Sequence, residues 1–151
     1  MIKIIEGDLL TSKADVICHQ VNCSSAMNSG IARQIRKQYP EVYNKYMELC
    51  KSVDKEELLG QCQPIYIGNH KYIANLFGQL NYGYDGKQYT DLNALEQAMV
   101  TLKSYFNTDR IIAFPWGLGS VRGGAKWEDV YRIIDTVFDD YNVEIWKWDR
   151  G

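Results

Sequence analysis

The chain has 151 residues, about the length of one domain, and a chain of this size buries enough surface for one core without a staple. Apolar residues make up 46% and charged residues 24%, and 17 basic against 19 acidic side chains leave a net charge of −2. That balance excludes a global electrostatic grip on nucleic acid or an anionic membrane and leaves room only for a local basic pocket.

In chain order, residues 2–5 read as a short strand that stops at Glu6, too short for a signal-peptide core. No later run approaches the ~18 apolar residues a membrane span requires. Residues 15–22 read as a buried strand carrying Val16, Ile17 and Val21. A stretch of small residues, 22–30, leads from it into a helix over 31–39. Pro40 breaks that helix and starts a second over 41–50. Strands follow at 63–67 and 71–77, joined by a hairpin turn signal at Gly68-Asn69. After a Thr90-Asp91 cap signal, Leu92, Leu95, Met99, Leu102 and Phe106 mark one face of a helix. A strand at 110–114 runs into a second small-residue stretch, 115–124. Trp127, Val130, Tyr131, Ile134, Val137 and Phe138 then form another helical face, and residues 143–148 a last strand. Six strands alternating with helices predict an α/β fold across 1–151, with a sheet sandwiched between helices.

The four cysteines, at 18, 23, 50 and 62, form no Cys-x-x-Cys pair, and His19 and His70 are the only histidines. Neither a zinc site nor a disulfide framework is expected, which fits a cytoplasmic protein with reduced thiols. The two small-residue stretches each lie between a strand and a helix. There, unpaired N–H groups and the positive end of a helix dipole attract anions, and ligands of open α/β sheets bind beyond strand carboxyl ends. Two such loops suggest a diphosphate gripped from both sides. Neither fits a common nucleotide fingerprint: Gly117-x-Gly119-x-x-x-Gly123 is one residue too long for the dinucleotide motif. Gly124 is followed by Ala125-Lys126-Trp127 rather than by Lys and a magnesium-holding hydroxyl.

Together these stretches resemble the macrodomain family. The resemblance runs from Gly7-Asp8-Leu9-Leu10, through His19 to Ala32, to Phe114–Val121 with Gly123-Gly124 and Trp127-Glu128. It implies a three-layer α/β/α fold with a mixed sheet and a site for ADP-ribose, with no cofactor and no metal. Asp8, beside Leu9, would accept a hydrogen bond from the adenine amino group; a turn or capping aspartate is the alternative. The first phosphate loop would use Asn22, Met27, Asn28, Ser29, Gly30, Ile31 and Ala32, the second Pro115, Trp116, Gly117, Leu118, Gly119, Ser120 and Val121.

Asn22 would orient the distal ribose or simply form a turn. His19 reads either as a core histidine or, as the phosphatase-type members imply, as a proton-transfer group. Trp146 and Trp148 share a strand face, and one of them, Trp148, is a candidate for the adenine slot; core filling is the alternative. The aromatic stretch 82–89 is a flap or a surface loop, and Arg122 a phosphate partner or a solvated loop residue. The chain is similar to ADP-ribose-1″-phosphate phosphatases and to glycohydrolases that free ADP-ribose from protein with a Lys and an Asp. Those two positions fall at Gln79 and near Gly123; an amide cannot form a Schiff base and glycine carries no proton. The expected function is hydrolysis of a substituent at the distal ribose, chiefly the 1″-phosphate, with ADP-ribosylated protein or nucleic acid as further partners and no membrane. A non-catalytic reader of ADP-ribosylated macromolecules is the alternative.

Overall fold

The computed structural model describes residues 1–148. The strands are β1 (Ile2–Glu6), β2 (Val16–Asn22), β3 (Cys62–Gly68), β4 (Lys71–Gln79), β5 (Ile111–Pro115) and β6 (Asn142–Lys147). The helices are α1 (Gly30–Gln38), α2 (Pro40–Ser52), α3 (Lys55–Leu58), α4 (Leu92–Lys103) and α5 (Trp127–Val137). Each strand and helix expected from the sequence is present within a few residues of its expected bounds. Two short pieces have no counterpart in the pattern: α3 and a 3₁₀ turn at Leu9–Thr11, both too brief for an apolar face to repeat. Phe106 lies beyond the end of α4 yet still packs into the core. In the β3–β4 hairpin the turn residues are Asn69 and His70, both with positive φ, one position later than the Gly68-Asn69 signal.

The sheet order is β1-β6-β5-β2-β4-β3, and only β3 runs antiparallel to its neighbour. Both faces are covered, so the central strands are apolar on both sides. Val16, Cys18 and Ile112 face α4 and α5, meeting Leu95, Met99, Val130 and Ile134. Ile17, Val21, Ile73 and Phe77 face α1 and α2, meeting Ile35, Val42 and Tyr46. Parallel pairing has a direct consequence for the site. The carboxyl ends of β1, β6, β5, β2 and β4 all emerge along one rim, so the segments after them stand side by side in that order.

Candidate functional site

The first loop is built around Asn22. Its side-chain Oδ1 accepts from the amides of Ser24 (2.9 Å) and Ala26 (3.3 Å), and its Nδ2 donates to Ala26 O (2.9 Å). These bonds fold residues 22–26 back on the strand end, with Ser25 at positive φ. Ser29 then caps α1 with extended backbone and no side-chain hydrogen bond, so its first amides have no side-chain acceptor. The second loop is a run of tight turns: the Ser120 amide and hydroxyl both donate to Gly117 O (2.9 and 2.7 Å), and Gly117 and Gly119 take positive φ, the conformation glycine adopts without strain.

Because β2 and β5 are parallel neighbours, these loops face each other across one cavity of about 390 Å³, a volume within the usual range for small-molecule sites. Its walls include Asn22, Asn28, Ser29, Gly30, Ile31 and Ala32 from the first side. Pro115, Trp116, Gly117, Leu118, Gly119 and Val121 line the second. Tyr82 and Tyr84 border it too, and the Arg122 guanidinium lies 4.7 Å over the Tyr84 ring, so part of the aromatic stretch does stand over the cleft. The start of α5 does not line the cavity, contrary to the expectation that the second loop would present a helix terminus as the first does.

Six of the expected site residues lie outside the lining. Asp8 caps the 3₁₀ turn, its Oδ1 accepting from the Leu10 amide at 3.0 Å. Leu9 and Met27 are buried beneath the rim as core, and the Ser120 hydroxyl is spent on its own loop. Trp148 lies just past β6 and is 47% exposed; Asp8 and Trp148 still share the rim, after β1 and β6. His19 is fully buried. Its Nε2–H donates to Asn75 Oδ1 (2.5 Å), while Nδ1 has no partner. Burial, opposed only in part by that bond, lowers its pKa to about 4, so it stays neutral and sealed from any ligand.

Three lining residues lie within the marked stretches without being singled out as site residues. Gln20, Ala26 and Val21 share walls with the loops, and Gln20 matters most. Its Nε2 donates to Gln79 Oε1 (2.6 Å) and to Thr90 Oγ1 (2.8 Å), and the Thr90 hydroxyl in turn donates to Gly119 O (2.7 Å). Gln79 Nε2 completes the run by donating to Asn81 O (2.8 Å). A polar residue at the carboxyl end of a buried strand was the available signal. The network also fills the place of a side chain at Gly123, where a Cβ would sit 1.9 Å from Thr90 Oγ1 and 2.5 Å from Gly119 O. Among the described residues lining the cavity, none carries a carboxylate, imidazole or amine, and Arg122 is the one formal charge. The thiol of Cys23, next to Asn22, is buried and pushed up to about 12, which leaves it protonated and inert.

The model of the Macro domain matches residues 18–134, most of the chain and both loops. The chain belongs to the Macro domain family. It is 28% identical over 142 residues to a protein of Mycobacterium tuberculosis (strain ATCC 25618 / H37Rv) named DNA ADP-ribosyl glycohydrolase, covering 91% of this chain and 39% of that protein. The chain thus spans about two fifths of the length of the curated relatives it matches first. An ADP-ribose 1″-phosphate phosphatase of Meyerozyma guilliermondii is 36% identical over 50 residues, 31% of this chain and 29% of that one. Among solved structures, the macrodomain of Mycobacterium tuberculosis DarG superposes with a TM-score of 0.80 at 26% identity, covering 97% of each chain. No helix among the described residues is long and apolar enough to cross a membrane.

Proposed function

We propose that this macrodomain binds ADP-ribose derivatives and hydrolyses a substituent at the distal ribose, the 1″-phosphate first among them. The observation that carries the reading is the pairing of an uncapped α1 terminus with the glycine turns of 115–119 across one cavity. A diphosphate between them would meet backbone N–H groups from both sides. Adenine would lie toward Asp8 and Trp148, where the carboxylate oxygen not used for capping can accept from its amino group. The distal ribose would lie toward Asn22, Gln20 and Gln79. With no acid or base in the lining, catalysis rests on positioning. Water attacks phosphorus, the P–O1″ bond breaks, and a phosphate oxygen of the substrate relays the water's proton to the departing ribose oxygen. The products are inorganic phosphate and ADP-ribose.

A second reading, a non-catalytic reader of ADP-ribosylated macromolecules, is favoured by one observation. Gln79, where the resemblance to protein-linked ADP-ribose glycohydrolases would put a lysine, is an amide bonded to Gln20, and Gly123 has no room for a side chain. One panel separates the two: ADP-ribose-1″-phosphate, glutamate-linked ADP-ribose and DNA-linked ADP-ribose, each scored for release. Turnover of the first supports the phosphatase reading, and turnover of either of the others moves the leaving group. Micromolar binding without turnover of any supports the reader. Calorimetry should find ADP-ribose bound with roughly −7 to −8 kcal/mol, far more tightly than AMP; equal affinities would refute the two-loop grip.

A further inference from the structure

Tyr46 on α2 is fully buried, its ring stacked against Phe77 with centroids 5.9 Å apart. Everything around the ring is core, yet the hydroxyl is engaged: the Cys50 thiol lies against it, and its bonds to oxygen and nitrogen go to the first loop. It lies 2.7 Å from Asn22 O and 2.9 Å from Asn22 Oδ1, sharing its proton between them, and it accepts from the Ala26 amide at 3.1 Å. With the amides of Ser24 and Ala26 also on Oδ1, that oxygen faces three donors, of which the Ala26 N–H is shared with the Tyr46 oxygen and the Tyr46 O–H with Asn22 O. One N–H of Nδ2 is held by Ala26 O. The only hydrogen-bonding group the Asn22 amide can still offer the cavity is its second N–H.

We infer that Tyr46 is a positioning residue that fixes Asn22 as a donor to the ligand. The inference rests on the ADP-ribose reading for the identity of the ligand, but the orientation of Asn22 follows from the protein bonds alone. A freely turning amide presents either an oxygen or an NH₂ group to the ribose; a locked one presents only N–H. The locked side chain therefore selects an acceptor oxygen on the distal ribose or its substituent. Tyr46 makes that selection through Asn22 without touching the ligand.

Tyr46→Phe keeps the stacked ring and removes the hydroxyl. It should weaken ADP-ribose by about fivefold to tenfold, the equivalent of one hydrogen bond, and leave AMP within about twofold because AMP lacks the distal ribose. In an Asn22→Ala background, Tyr46→Phe should add no further loss. Independently of any ligand, hydrogen exchange at the Ser24 and Ala26 amides should quicken in Tyr46→Phe. Additive losses, an equal loss for AMP, or unchanged exchange at those amides would each overturn the inference. If Tyr46→Phe does not fold, the wild-type chain carries the test through the side-chain amide signals of Asn22. On addition of ADP-ribose one proton should shift and the other stay fixed; movement of both or neither overturns it. Should wild type bind no ADP-ribose, the proposed function fails, while the exchange measurement still decides the role of Tyr46.

Discussion

The sharpest test of the sealed histidine is the pH dependence of folding. Folded, His19 takes up a proton only below about 4, because burial withholds water from the cation; unfolded, it does so below about 6.5. Between these values the unfolded chain binds more protons than the folded one, so stability falls as the pH falls through that window. The full difference is worth about 3 kcal/mol, of which roughly 2 kcal/mol is lost between pH 7 and pH 5. Urea denaturation of wild type and His19→Gln at both pH values isolates the effect, since the two proteins differ at that side chain alone. Wild type should lose about 2 kcal/mol more than the variant over that interval. Equal losses would mean that His19 is not held neutral in the fold. The same variant decides catalysis: any hydrolysis should persist in folded His19→Gln, and its collapse would refute the claim that the imidazole is sealed from the ligand.

Asp8→Ser should keep the cap on the Leu10 amide while removing the carboxylate, weakening ADP-ribose by roughly 1–3 kcal/mol with little change in the urea midpoint. Asp8→Ala should in addition cost about 1 kcal/mol of stability; calorimetry beside denaturation separates the two effects, and unchanged affinity in both would leave Asp8 with capping alone. Installing the missing pair by Gln79→Lys with Gly123→Asp should not create glycohydrolase activity. The aspartate Cβ would collide with Thr90 Oγ1 and Gly119 O, so Gly123→Asp should lower the melting temperature, and a stable, active double variant would contradict the packing described around Gln20.

The sequence by itself determined the order and kind of the long elements. Helices α4 and α5 and strand β2 carry apolar periods that only a helix face or a buried strand can satisfy. It also marked both loops, because small residues and glycines between a strand and a helix have few other uses. It left Asp8, Asn22 and His19 open between two roles each, since capping, turning and ligand contact draw on the same side chains. Tertiary structure decided what depends on neighbours distant in the chain. His19 meets Asn75 across β2 and β4, 56 residues away, and that pairing, with complete burial, makes it a core histidine. Gln20, Gln79 and Thr90 come from three segments into one hydrogen-bonded chain that ends on Gly119 O through Thr90, which no local pattern announces. Tyr46 looks like any apolar position of α2 until its hydroxyl is seen beneath Asn22. Periodicity reports which side of an element is buried; which atom a buried polar group meets is set by sheet order and register, and these exist only once the chain has folded.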